Sequence, residues 1–404
     1  MIGLVTSVRD EANALWQGGR GKILLAIALP WGILVGYRMA LPVLLPSIQA
    51  EFGLSLSVAG LLVSTLWLFA ALGQLPGGIL TDQYGEALLM SLSLVLVAIA
   101  FVFVIVAPNA ITLFAAVAIW GAGHSLYPIA RITKLSEIYP DRLGSALGLT
   151  MATGDLGQTI LPPIIGTVAL ILVWQVGFGV AIPLLLFASL GLWLITPKTT
   201  QDESAVDSLS MDSVHYVVEE LRRTEMVFMI FILFLYIFLW QAFTAFYPTY
   251  LIVEKDLSPS MASVLFGLFF ASGAVMKPLA GMAYDRIGVR WSLILVLVSP
   301  VGGLIFLPWA DGIVLLVLAT LLVSTMLGNG AITQSFLADQ FPADMQGTGL
   351  GAVRTTAAVL GATGPVLFGT VAEWGFFDEA YLVLALILAL VIALTYFMPQ
   401  PATD

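Results

Sequence analysis

Among the ionisable residues inside stretches that are otherwise apolar, four are candidates for function: Arg38, His124, Asp155 and Arg354. Each invites a specific chemistry. An arginine in such a setting presents a planar fork that grips a carboxylate through two parallel hydrogen bonds. A carboxyl such as Asp155 can alternate between charged and neutral forms, as a proton carrier must, or form a fixed ion pair with Arg38 or Arg354. His124 is a second group able to take up a proton, or a satisfied polar side chain. Arg354 can attract an anion or extend its charge along its stem toward an aqueous boundary.

Other chemistries are excluded by composition. The 404 residues contain no cysteine and only two histidines, His124 and His215, so thiolate and histidine metal sites are not expected. No nucleophile–base motif or phosphate-binding loop stands out, no cofactor is expected, and an enzyme is disfavoured. A net charge of −10 argues against nucleic acid. The acid gathers in loops, notably over 202–225, which could reflect a high-salt habitat.

The elements that must position these residues are membrane-crossing helices. The chain is 60% hydrophobic and 10% charged, with a mean hydropathy of +1.02, and its natural solvent is lipid. Twelve apolar stretches are long enough to span a bilayer: 23–47, 56–80, 87–107, 110–136, 144–167, 175–196, 226–252, 261–283, 291–309, 312–337, 347–370 and 377–397. Turn residues separate them, as at Pro108-Asn109, Tyr139-Pro140-Asp141 and Asp311-Gly312. Continuous rather than alternating apolar runs exclude a β-barrel. The expected fold is all-α, with twelve transmembrane helices in two six-helix bundles.

With the N-terminus inside, nearly all the lysine and arginine falls in or beside inner segments: Arg9, Arg20, Lys22, Arg131, Lys134, Arg142, Lys198, Arg222, Arg223, Arg286 and Arg290, with Lys277 near an inner helix end. Only Lys255 falls in an outer loop, so both termini are predicted to be cytoplasmic. Residues 1–22 lack the features of a cleaved signal and read as a lead-in. The halves are 23–196 and 226–398, joined by a polar loop over 197–225 and followed by a tail over 399–404. The end of that loop, 215–225, could lie as a short helix along the inner surface. A prokaryotic plasma or inner membrane is the expected location, and a monomer is expected to suffice.

A shift of 203 residues aligns the halves. Gly78, Asp82 and Gly85 meet Gly281, Asp285 and Gly288; Leu54 and Ser55 meet Leu257 and Ser258. Gly144, Gly148, Pro162 and Gly166 meet Gly347, Gly351, Pro365 and Gly369. With one residue of slippage, Glu137 and Pro140 meet Asp339 and Pro342. Duplicated glycines, prolines and inner-loop acids mean one backbone used twice, which suits halves that rock about a central site.

These residues resemble the major facilitator superfamily over essentially the whole chain. Its signature after the second helix is nearly intact in the second half, from Gly281 through Asp285-Arg286 and Gly288 to Arg290. The first half keeps Gly78, Asp82 and Gly85 but has Gln83 and Glu86 where bases are usual, implying a weaker inner lock. Asp82, Glu137, Asp285, Arg286, Arg290 and Asp339 are thereby implied as an inner gate. Tyr37-Arg38, Pro42, Pro46, Leu54-Ser55 and Gln74-Leu-Pro76-Gly-Gly78 are similar to the anion–cation symporter branch, which often has an acid where Tyr37 stands. Gly148, Gly157, Pro162 and Gly166 partly match a glycine pattern of proton antiporters, with Leu161 and Ile165 replacing two glycines; helix packing is the simpler role.

In this superfamily the first, fourth, seventh and tenth helices line the cavity. Trp120, His124, Tyr127 and Arg131 share one helical face, as do Tyr236, Trp240, Phe243 or Thr244, and Tyr247. Gln241 holds the repeat position of Arg38, and Asn329 and Thr333 share a face. The expected substrate site is Arg38, Tyr37, His124, Tyr127, Trp240, Gln241, Tyr247, Asn329 and Arg354, with Asp155 and His124 coupling protons. The function expected is proton symport of a small organic anion, a monocarboxylate or sugar acid. The alternative is a proton-coupled antiporter exporting a drug-like compound or metabolite. A non-transporting receptor would need a signalling domain, for which the short tails leave no room.

Overall fold

The computed structural model describes residues 15–197, 223–340 and 346–399; the side chains of Gly18, 338–340, 346–350 and Ala352 are outside the description. Most of the central loop, with its expected surface helix, falls outside the described residues, as does the side chain of Asp339.

The first half runs α1 (Arg20–Phe52), α2 (Leu56–Leu72, continued at a 40° bend by Gln74–Tyr84), α3 (Glu86–Ile105), α4 (Ala110–Ile138), α5 (Leu143–Ile171) and α6 (Trp174–Ile195). The second half begins with α7 (Thr224–Val253). The 48-residue element Pro259–Phe306 is α8 and α9, which meet where Gly288 leaves helical geometry at φ 72°. Then come α10 (Ile313–Ser324, continued through a tight 3-10 turn by Asn329–Gln340), α11 (Gln346–Gly361 with Gly364–Glu373) and α12 (Phe377–Phe397). Ten of these elements are long and apolar enough to cross a membrane, eleven with the bent α2; dividing α8 from α9 accounts for twelve spans. The protein is a multi-pass membrane protein.

The repeat seen in the sequence is a repeat of backbone. Gly85 and Gly288, equivalent at a shift of 203, both take positive φ, 84° and 72°. Gly53 has φ 64°, and its equivalent Asp256 is the one non-glycine with positive φ among the described residues, at 52°. Aspartate tolerates that left-handed conformation better than most side chains do. Ser55 caps α2 by accepting from the Val58 amide, and Ser258 caps α8 by accepting from the Met261 amide. Phe178 and Tyr381 hold equivalent positions in two aromatic cores, the first against Phe101 and Trp120, the second against Phe243 and Phe368.

The halves meet along α5 with α8 and α2 with α11, and the meeting is lopsided. Toward the face bearing Gly53 and Gly312, here the distal face, backbones touch. Gly60 lies against the Pro365 carbonyl and Gly267 against that of Thr159, and a Cβ at either would overlap its neighbour. Toward the face bearing Gly85 and Gly288, here the basic face, Gly144, Gly148, Gly281 and Gly351 meet open space. Among the described residues the halves are therefore packed backbone to backbone distally and less closely toward the basic face.

Candidate functional site

Arg38, Pro42 and Pro46 lie in the distal half of α1, and Trp31 lies two helical turns before Arg38 on the same side. His124, Tyr127 and Arg131 follow one another down α4. These side chains join in a continuous ladder. The Arg131 guanidinium lies 4.2 Å over Trp31, whose ring stacks on His124 at 5.8 Å and on Tyr127 at 6.1 Å. His124 Nε2 is 3.0 Å from Arg38 Nη1. The Arg38 guanidinium in turn lies 4.3 Å over Trp67 of α2, and Trp67 meets Trp240 of α7 edge-on at 5.3 Å, crossing into the other half.

Two arginines are thus held by aromatic faces and neutral partners. Arg131 donates to Thr150 Oγ1 at 2.7 Å. Among the described residues neither Arg38 nor Arg131 is paired with a carboxylate. Their Nε atoms, His124 Nδ1, Trp240 Nε1 and Gln241 Oε1 are buried without a protein partner there. Aromatic faces hold a cation in place by their quadrupole, contributing about 0.5–2 kcal/mol each, without neutralising it. The arrangement is a positive centre with no carboxylate partner among the described residues.

Not every residue of the shared faces belongs to this centre. Trp120 packs into the α3–α6 core against Phe101 and Phe178 rather than onto the ladder. Its angular position on α4 matches that of His124, but at its depth the helix faces other neighbours. Tyr37 turns away from Arg38, since adjacent helical residues point about 100° apart; its hydroxyl donates to the Gly177 carbonyl at 2.9 Å. Tyr247 is likewise engaged within its own half, 2.5 Å from Thr320 Oγ1 and stacked on Phe243.

A smaller cleft opens in the second half, lined by Tyr236, Asn329, Thr333, Gln334 and Arg354. Arg354 donates to Gln334 Oε1 at 3.4 Å, and the fully buried Asn329 amide has no protein partner among the described residues.

Asp155 does not pair with Arg38 or Arg354, the two partners its sequence position offered. It faces Lys277 of α8, with Nζ 2.5 Å from Oδ1, which ties the halves together. Of the gate residues, Glu137 holds the fully buried Lys134 at 2.6 Å, and Glu86 stands 3.9 Å from the same ammonium. Glu86, in the place of a customary base, thus serves as a partner for Lys134, and the first half has a charge cluster of its own. Asp82, Asp285 and Arg286 are exposed, and Arg290 donates to the Met398 carbonyl. Gly157 packs directly on Gly32 of α1, whereas Gly148 touches nothing in this state.

Trp31, Trp67 and Lys277 were absent from the expected site. Trp31 could have been found by its spacing of seven from Arg38. The other two carried no signal, since a tryptophan in an apolar span reads as packing and a lysine near a helix end as snorkelling.

Two six-helix halves around a polar, positively charged centre define the class of polytopic membrane transporters. A family model described as Major Facilitator Superfamily matches residues 31–365 and again 229–404, and the chain belongs to that family. It is 26% identical over 367 residues to a hexuronate transporter of Bacillus subtilis (strain 168), covering 85% of this chain and 86% of the relative. It is also 26% identical over 391 residues to a cis,cis-muconate transport protein of Acinetobacter baylyi, covering 90% and 92%. A bacterial homologue of the human lysosomal transporter Spinster, crystallised inward-facing and unoccupied, superposes with a TM-score of 0.79 at 14% identity, covering 95% of this chain and 97% of that one; the likeness is one of fold.

Proposed function

We propose that this protein carries a small organic anion, a monocarboxylate or sugar acid, across the membrane by proton symport through alternating access. The observation that carries the reading is the Arg38–Arg131 ladder: two guanidinium groups braced by Trp31, Trp67 and His124, with no carboxylate partner among the described residues. Relatives that carry a hexuronate, a sugar acid, and cis,cis-muconate, a dicarboxylate, support the organic-anion class. The chain is then a carrier and not an enzyme.

Arg38 is the carboxylate ligand in this reading, with His124, Tyr127, Trp240 and Gln241 around it and Asn329 and Arg354 holding the body of the substrate from the second half. Tyr37 and Tyr247 fall out of the set, because their hydroxyls are taken within their own halves. The excess of lysine and arginine at the basic face supports a cytoplasmic position for it, and in this reading that face is the inner mouth. Asp82, Glu137, Asp285, Arg286, Arg290 and Asp339 then form the inner gate, and their pairing across the halves belongs to the outward-open state. Asp155 and His124 are the coupling groups.

The test is uptake of D-glucuronate and of cis,cis-muconate by proteoliposomes. Accumulation driven by an inward proton gradient is expected, with alkalinisation of the medium. Uptake of neither anion, or extrusion driven by the same gradient, overturns the reading, and extrusion would favour the exporter. The Asp155→Asn variant is expected to exchange substrate across the membrane but not to concentrate it, because exchange requires no net proton movement.

A further inference from the structure

The pair formed by Asp155 and Lys277 sits at a boundary. On its distal side α5 and α8 touch, Gly166 against Ser263 and Gly267 against Pro163. On its basic side Gly144 and Gly148 of α5 and Gly281 of α8 meet open space. The ion pair therefore stands between the tightly packed distal stretch of these two helices and the stretch whose glycines face open space. Its two ends are unequally placed: the Lys277 side chain is 35% exposed and that of Asp155 is 17% exposed. The lysine side chain is the more exposed of the two.

The surroundings single out this pair. Asp155 is the sole ionisable residue of α5, α6 has none, and Lys277 is the first in α8, with Tyr284, Asp285 and Arg286 following nearer the mouth. Arg131 of α4 is bound to Thr150 and stacked on Trp31, and Arg38 of α1 is engaged with His124 and Trp67. Besides Lys277, Asp155 Oδ1 receives only a long bond of 3.5 Å from its neighbour Gln158. One carboxylate thus faces one ammonium, and the ammonium belongs to the more exposed side chain.

We propose that Lys277 is a second binding residue for the transported carboxylate, and that Asp155 competes with the substrate for it. The inference rests on the organic-anion reading above. When the anion takes the Lys277 ammonium, Asp155 is left without its counter-charge in a partly buried position, and an uncompensated charge there is costly. Asp155 then takes one proton from the aqueous mouth. The exchange balances: the ion pair, one proton and one carboxylate give a new ion pair between Lys277 and the substrate, and a neutral Asp155. Proton and anion arrive together, and by linkage each raises the affinity of the site for the other by the same factor. The same exchange removes the ion pair that ties α5 to α8.

The test is isothermal titration of the purified full-length chain with D-glucuronate and with cis,cis-muconate, in buffers of differing ionisation enthalpy. The wild type is expected to take up one proton per anion and to bind more tightly as pH falls from 8 to 6. Asp155→Asn should bind about tenfold more tightly at pH 8 with no proton uptake, and Lys277→Gln about tenfold more weakly. Thermal unfolding reports whether each variant folds. Should Lys277→Gln leave a lone buried carboxylate and misfold, the double variant, which has neither charge, decides. It should bind as weakly as loss of Lys277 alone predicts. Wild-type affinity in the double variant, or weaker binding in Asp155→Asn, would mark the pair as a structural tie and overturn the proposal. If the wild type binds neither probe, the transport reading falls and this inference with it. If the wild type binds and the variants do not follow the pattern, only this inference falls.

Discussion

The guanidinium of Arg38 and the imidazole of His124 meet at 3.0 Å, and the direction of that hydrogen bond is set by chemistry. Arginine has donors and no acceptor, so Nε2 of His124 must accept and the ring must carry its proton on Nδ1. His124 thereby aims Arg38 without neutralising it. It can bind a second proton only if Arg38 first moves away, since two cations would otherwise share the bond. On the proposed reading, this bond links substrate capture by Arg38 to proton uptake at His124.

Replacing Arg38 by lysine keeps the charge and removes the planar fork, the bond to His124 and the stacking on Trp67. Uptake of the carboxylate probe should fall by about ten- to a hundredfold, the loss expected for a hydrogen bond to a charged group. Membrane abundance and thermal unfolding should stay near wild type. Initial rates at matched expression check this, and a lysine variant with wild-type affinity and rate would remove Arg38 as the ligand.

Asp285 stands beside Arg286 and near Arg290, whereas Asp82 is followed by Gln83 and lies near Glu86, whose charge is already directed at Lys134. Asp285→Asn should therefore slow turnover more than Asp82→Asn. Exchange rates of the two variants, compared at equal reconstitution, decide it; equal or reversed effects would defeat the asymmetry.

At the distal face Glu373, the last residue of α11, accepts the Ser57 amide of α2 at 2.9 Å and so latches one half to the other. Glu373→Gln should weaken this latch and shift molecules toward the state open at the distal face, by roughly two- to fivefold in population for an exposed contact. The chain lacks cysteine, so a single Ser263→Cys probe can be labelled without background. Ser263 is fully buried between the closed distal halves. Its labelling rate should rise in the glutamine variant, and an unchanged rate would show that the latch contributes nothing.

Gly157 and Gly148 lie nine residues apart on α5, in a glycine pattern that gives them the same packing role. A Cβ at Gly157 would overlap the Gly32 carbonyl oxygen, whereas one at Gly148 meets nothing. Gly157→Ala should cost about 1–3 kcal/mol through forced separation of α1 and α5. Gly148→Ala should leave stability of this state unchanged. Thermal unfolding in detergent compares them directly, and equal midpoints would contradict the packing described.

Much of the architecture was legible in the chain, for local reasons. Apolar run length specifies membrane spans because lipid demands that each segment satisfy its own backbone hydrogen bonds. The shift of 203 residues specified the turns at Gly85 and Gly288 and the caps at Ser55 and Ser258, because φ preference and capping are properties of a few adjacent residues. Arg38 and His124 also declared themselves, since charge and polarity within an apolar helix are visible at once.

The partners of those residues were decided only by the tertiary structure. Helical periodicity says which way a side chain points but not what stands opposite. Trp120 and His124 share a face of α4, yet one enters an aromatic core and the other meets Arg38. Asp155 pairs with a lysine 122 positions away in the other half, and the pairing exists because α5 and α8 are docked against each other. That docking is a relation between two halves far apart in sequence, and no local pattern in either half encodes it.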